Sequence, residues 1–328
     1  MDFNEAIGAR LAVGVPGPAA TDEVIEQLRR TKAQSLVVFS RNFTGPEQFI
    51  GLLRALDEAV GRRLLILVDH EGGRIIRFAS GVTRFPDALT AGRAGAPAIE
   101  QQGRIEAEEL RRLKVHGNLA PCVDVLLAGS DPVIGDRAYG QDPVHVGSCG
   151  AARIRGLQQA GVAACAKHFP GLGAVPRDPH RMLPTIALSW DEMEEVHLPP
   201  FQEAIAAGVA MVMSSHVCYP GLGEPADLPA TFSPHLIRGL LRDRFRYDGV
   251  IATDDLEMGA LRAFGSVAEG AIRATEAGHD LLLICSDLRA AGEALSSLRG
   301  AYQSGRLSTD ELQLSVNRLE RLRQKFLR

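Results

Sequence analysis

The sequence predicts an α/β chain folded as one closed (β/α)8 barrel of the TIM type. Three observations carry this. Eight short apolar runs recur along the 328 residues, amphipathic stretches with helix-start signals lie between them, and no GxGxxG follows the first run, where LAVGVPGPA turns instead. A doubly wound open sheet is the competing architecture, and the missing glycine fingerprint counts against it.

The runs are LAVGV (11–15), SLVVFS (35–40), LLILVD (64–69), VHGNLAP (115–121), GVAACAKHF (161–169), AMVMSSH (210–216), GVIATDD (249–255) and DLLLIC (280–285). Each is apolar at consecutive positions, the pattern of a strand buried on both faces. Helix starts are marked by Thr21 before DEVIEQLRR, Gly45-Pro46 before EQFIGLLRALDEAV, Ser189 before WDEMEEVHLPPFQEAI, and Ser233-Pro234 before HLIRGLLRDRF. A last helix at about 308–327 is apolar at helical spacing and is expected to pack on the barrel's outside. No repeat, low-complexity segment or linker interrupts the pattern, so 1–328 reads as a single domain.

Composition sets outer limits on function. With 45% hydrophobic and 23% charged residues and a formal net charge of −4, the chain has the makeup of a globular protein with a large core and lacks the basic footprint of a nucleic-acid binder. The N-terminus has no basic segment leading into a long apolar one, and no run reaches the ~18 apolar residues of a membrane span. A cytoplasmic location follows as the expectation. Cys122, Cys149, Cys165, Cys218 and Cys285 fall singly and mostly within apolar runs, which reads as buried thiols rather than disulfides or a zinc site.

Barrel enzymes present their chemistry at the C-terminal ends of the strands, and polar groups stand at nearly every such end here. Asp69 and Glu71 end the third strand, Asp124 follows the fourth, Lys167 and His168 end the fifth, His216 the sixth, Asp254 and Asp255 the seventh, and Ser286 and Asp287 the eighth. Asp254, held on a strand, suits the nucleophile of a glycosyl transfer, whereas Asp255 points the other way and reads as a helix cap or brace. In KHFPGLGAVPRDPHRMLP (167–184), Asp178 and His180 lie two residues apart. Pro179 disfavours helical backbone at Asp178, so the expectation is an extended stretch in which the two side chains face one way as a carboxylate–imidazole acid/base pair, the alternative being a salt-bridged surface loop. In VDHEGGRIIRF, Asp69 can accept from sugar hydroxyls, Gly72 and Gly73 permit close backbone approach, and Arg74 and Arg77 can donate. Arg137, flanked by Gly135 and Gly140, is a further donor.

VDHEGGRIIRF, APCVDV, VIGDRAYGQDP, KHFPGLG, DPH followed by LP, and TDDLEMGAL together resemble, nearly end to end, the family 3 glycoside hydrolases, and among them the single-domain bacterial β-N-acetylglucosaminidases of the NagZ type. The resemblance implies a retaining exo-acting enzyme of cell-wall recycling that needs no metal or organic cofactor. It implies Asp254 as nucleophile, Asp178 with His180 as the acid/base dyad, and Asp69, Arg77, Arg137, Lys167 and His168 as sugar-binding residues. The chain departs from the usual KHFPGHGDT and DSH at Leu172, Ala174 and Pro179, and from DQEGG at His70. The first three departures bear on the shape of the loop carrying His180. The expected partner is a small glycan, with no nucleic acid or membrane, and the chain is expected to be a monomer. Alternatives are a non-catalytic or altered-specificity sugar-binding relative, a phosphorylase variant, and a Schiff-base lyase using Lys167.

Overall fold

The structure, a computed structural model, describes residues 2–129, 133–175 and 183–327. Eight parallel strands close into a barrel in sequence order, β1 beside β8. They are β1 (Leu11–Val13), β2 (Ser35–Val38), β3 (Leu65–Val68), β4 (Gly117–Asn118), β5 (Ala163–Phe169), β6 (Met211–Ser214), β7 (Val250–Asp255) and β8 (Leu281–Ile284). Every predicted run contains one of them.

Alternation within each strand explains why the runs are continuously apolar. Val37, Leu65, Leu67, Leu281 and Leu283 belong to a cluster inside the ring, while Leu36, Val38, Ile66, Val68, Leu282 and Ile284 pack outward in the larger core. The interior is filled rather than hollow. At Gly117 an added Cβ would come within 2.6 Å of the Leu67 side chain and 3.4 Å of Met211 Cε, so the layer has no room for a side chain there.

The helices are α1 (Phe3–Gly8), α2 (Asp22–Thr31), α3 (Pro46–Val60), α4 (Ala88–Gly92), α5 (Ala96–Arg112), α6 (Pro143–Gln159), α7 (Trp190–Glu192), α8 (Pro199–Ala206), α9 (Val267–Ala277), α10 (Leu288–Gln303) and α11 (Thr309–Phe326). Their starts follow the sequence signals. Thr21 accepts from Val24 N, Pro46 is the first residue of α3, and Ser189 forms a capping box with Glu192. Two helices differ from expectation in their winding. The stretch from Ser189 is divided, because Pro199 and Pro200 offer no N–H to carbonyls 195 and 196. A π-helical turn, Met193–His197, absorbs the break, with Leu198 N donating to Met193 O at 2.8 Å. The segment His235–Arg244 is also π-helical.

α11 does not lie along the barrel's flank. Its Leu319, Leu322 and Phe326 join the cluster inside the ring, and Arg323 donates to Gln34 O, just before β2, at 2.7 Å. The helix therefore covers the N-terminal mouth and leaves the C-terminal end open for the site. Arg10, 1% exposed, staples the seam between the first and last strands, donating to Asp280 O at 3.3 Å and to His279 O and the Tyr302 hydroxyl. No helix among the described residues is long and apolar enough to cross a membrane.

Candidate active site

The C-terminal ends of β3, β5 and β7 supply the centre. Register shifts occur in the last residues of two of them, between Lys167 and Phe169 on β5 and between Ala252 and Asp255 on β7. Such irregularities turn side chains out of the plain inward–outward alternation, here where the chemistry collects.

All five residues implied for sugar binding lie in one polar network. Lys167 Nζ sits 2.6 Å from Asp69 Oδ1 and 2.7 Å from Glu71 Oε1. Arg137 grips Glu71 with two bonds of 2.8 Å, and its Nη2 approaches His168 Nε2 at 3.4 Å. Arg77 Nη2 stands 3.6 Å from Asp69 Oδ2, and its Nε is buried with no partner among the described residues. A buried donor without a protein acceptor is a group kept for a ligand or water. Arg77 and Arg41 both lie over the Phe39 ring, at 5.6 and 4.4 Å.

The charges reinforce one another. Burial opposes ionisation of Glu71, but Arg137 and Lys167 overcome it and hold the carboxyl far below the usual range. Burial likewise works against the Lys167 ammonium, and Asp69 and Glu71 outweigh it, so the amine stays protonated well above its ordinary value. An ammonium clamped between two carboxylates is no nucleophile, which counts against the Schiff-base reading.

Asp254 follows the buried Thr253 on β7, and its Oδ1 accepts Asp255 N at 2.8 Å. Burial pushes its pKa up, but the imidazoles of His216 and His168, the Asp255 N–H and Lys167 together hold it below the ordinary value. The carboxylate is thus ionised and fixed. Asp255 braces the neighbouring strand instead, its Oδ1 accepting from Glu257 N at 3.1 Å and Cys285 N at 3.2 Å. Burial, with the charges of Glu257 and Asp254 added, lifts it to about 7.

Asp178 and His180 lie outside the described residues. Of the loop leading to them, Leu172 is buried and donates its N–H to Asp124 Oδ1 at 2.6 Å. Asp124 also meets His168 Nδ1 at 2.7 Å and the Cys122 thiol at 3.2 Å.

Two sequence expectations change. Gly72 and Gly73, at φ 103° and 54°, serve a turn pressed on the chain's own backbone: an added Cβ would lie 2.5 Å from Pro86 O or 2.6 Å from Asp87 Cβ. Arg74 pairs with Asp136 at 2.7 Å, linking two loops, rather than donating into the site. Glu71, Asp124 and His216, which strand-end position alone left without roles, are integral to the network. His216 Nε2 donates to Asp255 O at 3.0 Å, and its Nδ1 meets Thr231 Oγ1 at 2.6 Å.

The ligating atoms of Cys122, Asp124 and His168 lie within 4.8 Å of one another. A metal ion there would have to displace the thiol and Nδ1 protons that now bind Asp124, and burial reinforced by the Asp124 charge keeps that thiol protonated. The trio fits a hydrogen-bonded support better than a metal cage.

Residues 4–322 match the glycosyl hydrolase family 3 N-terminal domain. A protein of Methylococcus capsulatus named beta-hexosaminidase is 37% identical over 292 residues, which is 88% of this chain and 86% of that one. In structure, a family 3 β-N-acetylglucosaminidase from Paenibacillus sp. FPU-7 superposes with a TM-score of 0.95 at 38% identity. All of this chain is covered but only 63% of that longer one. NagZ from Neisseria gonorrhoeae, solved with N-trifluoroacetyl-D-glucosamine, gives a TM-score of 0.79 at 29% identity, with 95% of this chain and 97% of that one covered.

Proposed function

The chain belongs to glycosyl hydrolase family 3, and from that premise we propose that it is a retaining exo-β-N-acetylglucosaminidase, releasing terminal β-linked N-acetylglucosamine from muropeptide-like glycans in cytoplasmic cell-wall recycling. In this reading 1–328 works as one catalytic unit and as a monomer. The observation that carries it is the ionised, partly buried Asp254 at the end of β7, beside a network whose donors include Arg77 Nε, which has no partner among the described residues.

Asp254 attacks the anomeric carbon while His180, oriented by Asp178, protonates the departing glycosidic oxygen. A glycosyl ester forms on Asp254, and water deprotonated by His180 then releases the sugar with net retention. The roles of Asp178 and His180 rest on the family resemblance. Asp69 accepts hydroxyl hydrogens, and Arg77, Arg137, Lys167 and His168 hold the sugar's oxygens.

The test incubates wild type, Asp254→Asn and His180→Ala with 4-nitrophenyl N-acetyl-β-glucosaminide beside the matching glucoside. Wild type should prefer the acetamido sugar, and Asp254→Asn should lose at least about a thousandfold in kcat. His180→Ala should be hurt most with poor leaving groups, because an activated phenol needs little protonation. Wild type silent on both sugars, yet binding N-acetylglucosamine, would replace this reading with the non-catalytic one.

A further inference from the structure

The departure at His70 has a counterpart in the structure. We propose that His70 is a positioning residue for sugar binding, its Nδ1 accepting the main-chain N–H of Arg77 and so setting where the guanidinium stands. This rests on the reading above, in which Arg77 and Asp69 hold the sugar.

The Arg77 side chain is held only loosely: its guanidinium lies 5.6 Å from the Phe39 ring centroid, its Asp69 contact is 3.6 Å, longer than a hydrogen bond, and its Nε has no partner among the described residues. Its backbone is held instead, with Arg77 N donating to His70 Nδ1 at 3.2 Å. His70 is itself immobilised. It is 2% exposed, its N–H donates to Asn118 Oδ1 at 3.0 Å, and its carbonyl accepts Asn118 Nδ2 at 2.8 Å. Its ring stacks on Phe78 at 5.6 Å. Asn118 also donates to Glu106 on α5 at 2.7 Å, and Glu106 pairs with Arg153 on α6. The anchor therefore runs from two outer helices, through β4, to the loop that presents Asp69 and Arg77. Because Nδ1 accepts, the ring proton rides on Nε2 and the imidazole is neutral. Burial, with the charges of Arg153 and Arg77, keeps its pKa down to about 4. A glutamine at this position could offer an amide oxygen as acceptor but no ring to stack on Phe78.

The experiment compares kcat and KM of wild type, His70→Phe, His70→Met and His70→Gln on the acetamido glycoside, with Tm measured for each. Phenylalanine keeps the ring and removes the acceptor, methionine removes both, and glutamine restores an acceptor. The expected result is KM raised about tenfold in whichever of the first two folds, the size of one lost hydrogen bond, with kcat within about threefold. His70→Gln should return KM to within about threefold of wild type. Unchanged KM without the acceptor, a loss confined to kcat, or a glutamine variant as impaired as the others would overturn the proposal. Should wild type turn over no glycoside, the glycosidase reading fails separately, and the same ordering is sought in calorimetric Kd values for N-acetylglucosamine.

Discussion

Glu71 stands between two cations with its side chain only 7% exposed, so its charge is committed on both sides. Removing that charge strands Arg137 in a largely enclosed site and leaves Lys167 with Asp69 as its one remaining carboxylate among the described residues. Glu71→Gln is expected to lower unfolding free energy by about 3 kcal/mol, while Arg74→Gln, which breaks a pair 45% and 41% exposed, should cost less than about 1 kcal/mol. Urea titration of both variants checks the contrast, and equal losses would refute it. The two residues lie three apart in one motif, and the sequence did not separate their roles. It named Arg74 as a donor to the site and assigned Glu71 only a place on the rim. What separates them is pairing with Arg137 and Lys167, far along the chain, which local spacing does not encode.

At the scale of elements, periodicity located the eight strands and the helix starts because each depends on a few adjacent residues. It did not reveal the π-helical winding at His235–Arg244, since ten residues are too few to tell a wider helix from an α-helix by which face is apolar. Nor did the apolar stripe of α11 say what it would meet. Leu322→Ala, which opens a cavity where α11 plugs the ring, should cost about 2–4 kcal/mol, and Leu314→Ala, on the same helix but 47% exposed, should stay within about 0.5 kcal/mol. Denaturant midpoints test this, and a plug of no consequence would leave the two variants alike. The site's legibility followed the same division. The strand-end rule gathered Asp69, Lys167, His168 and Asp254, whereas the supports behind them, Asn118 and Glu106, lie on elements whose sequence carries no mark of that use.

Over the whole molecule, the proton balance of unfolding is set by groups of opposite tendency. Burial lowers the pKa values of His70, His116, His197 and His279, so the stability they contribute is present above their ordinary 6.5 and is lost as pH falls below it. Burial raises Asp255 and Glu106 to about 7 and lifts Asp57 above its ordinary value, and these three contribute stability below their ordinary values of 3.8 and 4.5 that is lost as pH rises through their folded values. Between pH 5 and 6.5 these four histidines outnumber the three carboxyls among the described residues, so stability should rise with pH toward neutrality. Asp255→Asn removes one opposing carboxyl and should steepen that rise by about 1.4 kcal/mol per pH unit. Unfolding free energies at pH 5, 6 and 7 decide it, and a shallower slope in the variant would contradict the assignment.

The seam held by Arg10 has a consequence for assembly. β1 pairs with β8, and the Arg10 guanidinium reaches carbonyls 269 and 270 positions away. Until residues near 280 are in place, β1 has only one neighbour and the ring has an open edge. Closing a loop of that length is entropically expensive, and an unpaired apolar edge invites the wrong neighbour. Nascent chains that stop short of β8 are thus expected to stick to one another, and the dependence of this protein on chaperones should be concentrated in the interval before the last strand emerges.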